Sequence, residues 1–310
     1  EVNTTGAAVI ATVGDVGLDL DAGQYVRVFG QQVVVDIFGQ SVTGDFTFEQ
    51  ATTVDGASVV RVAVAAVTLT ISTGTGATAE DIVTVTSGEG AFLLTDAGAA
   101  GTLSVSAALT IPGMPTPAAS VDNVTISFNL TPAPVTETFV IPGVAGSTTV
   151  ELDLPAGKFF QVTVIGLTVD LDGVLDITGD FSITQSTNDD GSATTALGIT
   201  NFSDTFDTDE LHGADGLECI FGAGAALYLD QTDSCIAVTD VEGAFVITEA
   251  GVAGVVSGHG IGTLGVVAVE GTVSVRINKT GAAVDETVQV GARSIPIRFG
   301  EDEGDLIAVS

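Results

Sequence analysis

The chain repeats itself, and this restricts its fold more than any other feature. Gly44-Asp45-Phe46-Thr47-Phe48-Glu49-Gln50 returns 135 residues later as Gly179-Asp180-Phe181-Ser182-Ile183-Thr184-Gln185. Leu20-Asp21-Ala22-Gly23 returns as Leu154-Pro155-Ala156-Gly157. Glu89-Gly90-Ala91-Phe92, trailed by Thr95-Asp96-Ala97-Gly98, returns 153 residues on as Glu242-Gly243-Ala244-Phe245 with Thr248-Glu249-Ala250-Gly251. The later copy has therefore gained 18 residues between these two motifs. A further motif opens each copy: Asn3-Thr4-Thr5-Gly6-Ala7-Ala8-Val9, then Asn129-Leu130-Thr131-Pro132-Ala133-Pro134-Val135, then Asn278-Lys279-Thr280-Gly281-Ala282-Ala283-Val284. The division that follows is a first repeat over 1–128, a second over 129–277 with an insertion near 203–235, and the start of a third over 278–310. Such a pattern is expected of a segment cut from a longer array.

Within each repeat the apolar period is two. Phe46 and Phe48 alternate with Asp45, Thr47 and Glu49, and Val60, Val62 and Val64 alternate with Arg61 and Ala63. Val273, Val275 and Ile277 do the same around Ser274 and Arg276. Alternation of this kind places one face of a strand in a core and the other in water, as in antiparallel sheets. After Val64 the phase slips at Ala65-Ala66, which predicts a β-bulge. Turn signals such as Asn188-Asp189-Asp190-Gly191 and Pro142-Gly143 separate the runs, and no stretch carries a helical period. The abundant Val and Thr are β-branched, lose rotamer freedom in helices and suit strands. The fold class is all-β: tandem antiparallel β repeats of six to nine strands each. They form either chained β-sandwich units or one elongated sheet or solenoid.

The set Val42-Thr43-Gly44-Asp45-Phe46-Thr47-Phe48-Glu49-Gln50, Gly90-Ala91-Phe92-Leu93-Leu94-Thr95 and Ile277-Asn278-Lys279-Thr280-Gly281-Ala282-Ala283-Val284 resembles repeat units of giant bacterial secreted or surface adhesin-like proteins. The resemblance implies a cell-surface or matrix setting and specifies no ligand. The glycine- and aspartate-rich nonapeptides of calcium-binding toxin repeats do not occur here.

Charge narrows the partners. Seven basic residues against 40 acidic ones leave a net charge of −33. A surface of that sign repels phosphate backbones and anionic lipid, so neither nucleic acid nor a membrane surface is an expected partner. It suits solubility by self-repulsion or a structural cation. Residues 250–269 hold no Lys, Arg, Asp or Glu, but their glycines and alternation fit sheet better than a membrane span.

Chemistry-bearing residues are few. His212 and His259 are the only histidines; Ser257-Gly258-His259 lacks the setting of a nucleophile elbow. Gly260-Ile261-Gly262-Thr263-Leu264-Gly265 matches a phosphate-binding fingerprint, yet a further apolar run follows where a helix would be needed. No enzyme is expected. The insertion collects Asp204, Asp207, Asp209, Glu210, Asp215 and Glu218, the candidate calcium ligands, calcium being the one cofactor the sequence suggests. Cys219 and Cys235 lie 16 residues apart, a spacing suited to a local disulfide contributing about 3 kcal/mol. Asn3, Asn129 and Asn278 head Asn-x-Thr sequons and are candidate glycosylation sites. The same triplet also fits a turn in which Asn and Thr bond the local backbone.

The functional expectation is a structural repeat of an extracellular stalk, fibre or adhesin, acting as spacer. Its partners would be neighbouring repeats or identical chains. The alternative is a calcium-dependent module that binds a surface glycan or protein through the 203–235 insertion.

Overall fold

The structure, a computed structural model, describes residues 1–37, 40–52, 56–73, 80–110, 119–143, 146–170, 175–188, 191–207, 234–264 and 267–310. Strands make up nearly all of it, and the described residues contain no α-helix, only a 3-10 turn at Glu301–Glu303.

The first repeat supplies a stub β1 (Val2–Asn3), a hairpin of β2 (Val9–Val13) and β3 (Val16–Leu20), and then six longer strands. These are β4 (Gln24–Ile37), β5 (Gln40–Thr52), β6 (Ser58–Thr73), β7 (Glu80–Thr95), β8 (Gly98–Leu109) and β9 (Ala119–Asn129). The second repeat follows the same plan. Its hairpin is β10 (Val135–Gly143) with β11 (Gly146–Leu154). Its six strands are β12 (Phe159–Asp170), β13 (Leu175–Thr187), β14 (Ala193–Asp207), β15 (Ser234–Thr248), β16 (Gly251–Leu264) and β17 (Val267–Asn278). The third begins with the hairpin β18 (Val284–Val290) and β19 (Arg293–Phe299) and continues into β20 (Leu306–Val309).

All strands outside the three hairpins join one fourteen-stranded antiparallel sheet. Its order, β1-β4-β5-β6-β7-β8-β9-β12-β13-β14-β15-β16-β17-β20, simply follows the chain and skips the hairpins. Of the two architectures the sequence left open, the single sheet is the one formed. β17 pairs with β20 across the second boundary, Asn278 opposite Leu306, and the stub β1 pairs with β4 in the same way, Asn3 opposite Tyr25.

The predicted bulge is present, and it has counterparts. Ala66 has φ +51°, and the β5–β6 register shifts between Thr43 and Asp45. Gln32, Asn201 and Asp240 take the same left-handed conformation in β4, β14 and β15 (φ +49°, +53° and +54°), and Gly166 takes it in β12 (φ +64°). Each extra residue turns the strand and increases its twist.

Two compact units make up the chain. The first comprises Glu1–Ser72, Thr84–Val105 and Thr125–Phe160. Its core lies on one side of the sheet, where Val135, Phe139 and Ile141 of β10 with Val150, Leu152 and Leu154 of β11 meet Ala63, Ala65, Ala91 and Ala100. The second comprises Thr73–Val83, Ser106–Val124 and Gln161–Ser310. Val288 and Val290 of β18 with Ile295, Ile297 and Phe299 of β19 cover Ala244, Val246 and Ala253 there. In both units small side chains floor the hairpin. A Cβ on Gly198 would sit only 3.0 Å from a methyl of Val288, and nearer still to Val290.

Which face is covered reverses the expectation from alternation. Asp45 and Thr47 are buried beneath the hairpin, at 9% and 8% exposure, while Phe48 is 40% exposed on the opposite face. In the first unit Val26, Val28, Leu94, Ile126 and Phe160 share that open side, all more than a third exposed. In the second unit Ile183 and Ile247 do so, and Ile183 lines a shallow apolar recess with Val162, Val164, Phe181, Leu197, Ile199 and Phe245. Pairing keeps residues of like type on one face, and it is the hairpins that select which face they cover.

Candidate functional site

The motifs that recur in sequence are the natural candidates, and each is consumed in construction. In Gly-Asp-Phe, the Asp45 carboxylate accepts the backbone amide of Gln32 at 2.8 Å. Asp180 accepts that of Gly166 at 2.7 Å, and its other oxygen accepts Nδ2 of Asn201 at 2.5 Å. The aspartate thus satisfies an amide that the neighbouring bulge removes from the ladder.

In Glu-Gly-Ala-Phe the glycine and alanine make room. Ala91 and Ala244 are fully buried beneath their hairpins. Phe92 lies across Gly101 of the next strand so closely that a Cβ there would stand 2.5 Å from its ring, and Phe245 covers Gly254 in the same way. Thr-x-Ala-Gly closes the β7–β8 and β15–β16 turns: Ala97 and Ala250 amides donate to Thr95 and Thr248 Oγ1, each at 3.2 Å. Gly98 and Gly251 hold φ near +140° and abut the carbonyls of Leu130 and Lys279, where no side chain would fit. The amides of those two residues donate back to Ala99 and Val252, at 2.8 and 2.7 Å.

These bonds join the turn to the Asn-x-Thr motif. Asn3, Asn129 and Asn278 are buried, at 2%, 0% and 0% exposure. Each Nδ2 donates to the carbonyl four residues on, at 2.7, 2.9 and 2.8 Å. Each Oδ1 accepts both the amide and the hydroxyl of the threonine two residues on. Asn3 and Asn129 spend the second Nδ2 hydrogen on Asp21 and Pro155, both at 2.7 Å. The arrangement is an Asx turn that carries the chain out of the sheet into each hairpin. A glycan on Asn3 or Asn129 would consume one of these donors, and on any of the three it would draw the amide from its buried seat.

Ion pairs tie the hairpins down. Glu49 bridges Arg27 (2.6 Å) and Arg61 (3.2 Å), and Arg61 reaches Glu137 of β10 at 3.3 Å. Arg293 of β19 pairs with Glu242 of β15 at 3.1 Å. Burial disfavours the Arg27 cation, but hydrogen bonds and charge from Glu49 and Asp21 outweigh it and hold its pKa above the ordinary arginine value.

The candidate calcium ligands are mostly out of view. Asp204 and Asp207 stand in β14 opposite Val238 and Cys235. Asp209, Glu210, Asp215 and Glu218 lie outside the described residues, as do Cys219 and His212, so the proposed disulfide falls there too. Among the described residues no three His, Cys, Asp or Glu side chains come together to hold a metal. His259 lies on β16 with Nε2 3.1 Å from Glu270 and Nδ1 3.4 Å from Thr272. The glycine fingerprint begins inside β16, where no helix start faces it. No helix among the described residues is long and apolar enough to cross a membrane.

One surface was not foreseen. The three hairpins occupy equivalent places in the repeats, but only two are seated. Val13 is 71% exposed, whereas its counterparts Phe139 and Val288 are at 5% and 3%. Leu18 is 38% exposed against 1% for Leu152 and 0% for Ile297. The signal was present in the shared opening motif, but only packing distinguishes a covered copy from an open one.

Comparison with protein-family models, curated proteins and solved structures finds no match.

Proposed function

We propose that the chain is a structural repeat module of an extracellular stalk, fibre or adhesin, whose work is to extend a scaffold. The observation that carries this reading is that the boundary between repeats is built like their interior. The sheet passes from β9 to β12 and from β17 to β20 with no change of plan, and the recurrent residues are spent on bulges, turns and hairpin seats. A fold of this kind adds length by adding repeats, each burying apolar surface against its neighbours. The extracellular setting rests on the resemblance to secreted and surface repeats. The acidic excess suits long scaffolds, because like charge keeps them from merging.

The test is a series of chains carrying one, two and three extra copies of residues 129–278, measured by small-angle scattering and electron microscopy. Six strands at about 4.8 Å spacing advance a sheet by roughly 29 Å, so the longest dimension should grow by a constant step of that order. A series that grows compactly, with no constant step, would refute the spacer reading.

A further inference from the structure

We infer that the β2–β3 hairpin is a docking clip, whose partner is the small-residue face of another repeat sheet of the same kind as β13–β16. This deepens the scaffold reading and rests on it.

Each seated hairpin lies on the sheet of the repeat before it in sequence. β10–β11, which opens the second repeat, covers Ala63, Ala65, Ala91 and Ala100 of the first. β18–β19, which opens the third, covers Ala244, Val246 and Ala253 of the second. The same opening motif, with the same Asx turn, launches β2–β3. Its strands pair in the same way from the base: Val9 faces Leu20 as Val135 faces Leu154 and Val284 faces Phe299. Counting from that base, Val13 and Leu18 occupy the places of Val288 and Ile297, yet they face solvent.

A five-residue strand pair that buries Leu20 at its base but leaves Val13 and Leu18 in water is a poor structure by itself. What would cover it is specified by the two seated copies: a floor of Ala and Gly that lets a hairpin approach closely. Among the described residues both such floors are already occupied by the chain's own hairpins, so the partner is a further repeat. The seat of the second repeat receives a valine, Val288, at the position of Val13, whereas the first receives the bulkier Phe139 there.

The test compares the 310-residue chain with an extended chain in which residues 159–278, the six strands β12–β17 without a hairpin of their own, are joined directly ahead of Thr4. Hydrogen exchange is read over residues 9–20, with β10–β11 as internal standard. In the extended chain the 9–20 segment should exchange at least ten times more slowly. Val13→Asp with Leu18→Asp should restore fast exchange there, while leaving the melting temperature of the 310-residue chain unchanged. Equal exchange of 9–20 in the two chains, with β10–β11 protected in both, overturns the clip and leaves the scaffold reading intact. Protection that survives the double substitution also overturns it. An extended chain in which β10–β11 itself loses protection overturns it equally, since the clip requires the added sheet to be accommodated without strain. Failure of the scaffold reading shows elsewhere, as the loss of a constant length step.

Discussion

The Asp180 carboxylate accepts the backbone amide of Gly166 at 2.7 Å across the β12–β13 pair, and so caps a bulge that the ladder alone would leave unsatisfied. Asp45 and Gln32 repeat the relationship at 2.8 Å. Asp180→Ala strands that amide and frees Asn201 Nδ2 as well. A loss of about 2 kcal/mol is expected, read as a lower midpoint in urea with an unchanged slope.

Asn129 is the hinge of the second hairpin. Asn129→Ala removes four hydrogen bonds at a fully buried position, two donated by Nδ2 and two accepted by Oδ1. The expected cost is about 3 kcal/mol, against no more than about 0.5 kcal/mol for Ile10→Ala, whose side chain is 81% exposed. Thermal melts of the two variants decide it.

Thr200 holds the place that Ala65 fills in the first repeat, fully buried with no partner for its hydroxyl among the described residues. Thr200→Val keeps the shape and removes the stranded group. A gain of about 1 kcal/mol is expected, seen as a higher melting temperature.

Glu303 titrates below the ordinary value of 4.5, because the Gly300 amide and then Arg276 hydrogen-bond its ionised form. A carboxylate whose folded pKa is depressed stabilises fully above its unfolded pKa, and that contribution disappears as pH falls through the folded one. The melting temperature of the parent chain should therefore exceed that of Glu303→Gln at about pH 6. The difference should close as the pH drops below 4.5. A gap that persists in acid would mean that charge is not its source.

The first repeat joins β6 to β7 through residues 74–79, and the second joins β14 to β15 through 208–233. Loop-closure entropy grows slowly with length, so replacing 208–233 with the shorter connection should leave one cooperative melt within a few degrees of the parent. Calcium and chelator should act alike on parent and variant. A calcium-dependent rise in melting temperature that disappears with the segment would favour the binding module instead.

Much of the fold was legible because its causes are local. Alternation gave the strands, the Ala65-Ala66 slip gave the bulge, and the recurring motifs gave two copies of six to nine strands, whose division into one hairpin and six sheet strands only the structure shows. The buried side was not legible. Period two says that Phe46 and Phe48 share a face, but the cover over Asp45 and Thr47 comes from a hairpin some 90 residues away in sequence. The Asn-x-Thr triplets were ambiguous for a related reason. The same three residues read as a sequon or as a turn until burial and the direction of Nδ2 are known. Most of the acidic insertion lies outside the described residues, so its chemistry stands where the sequence left it.

The two seated hairpins are not copies of one joint. Phe139 and Ile141 share a core with Ala63, Ala65 and Ala91, whereas Val288 and Val290 share one with Ala244 and Ala253 and press against Gly198. The first joint sets a phenylalanine against alanines and the second sets valines against a glycine, and close-packed interfaces punish a change of size in either direction. Each hairpin therefore carries an address. Such differences in size would let a hairpin favour its own floor over that of the other unit.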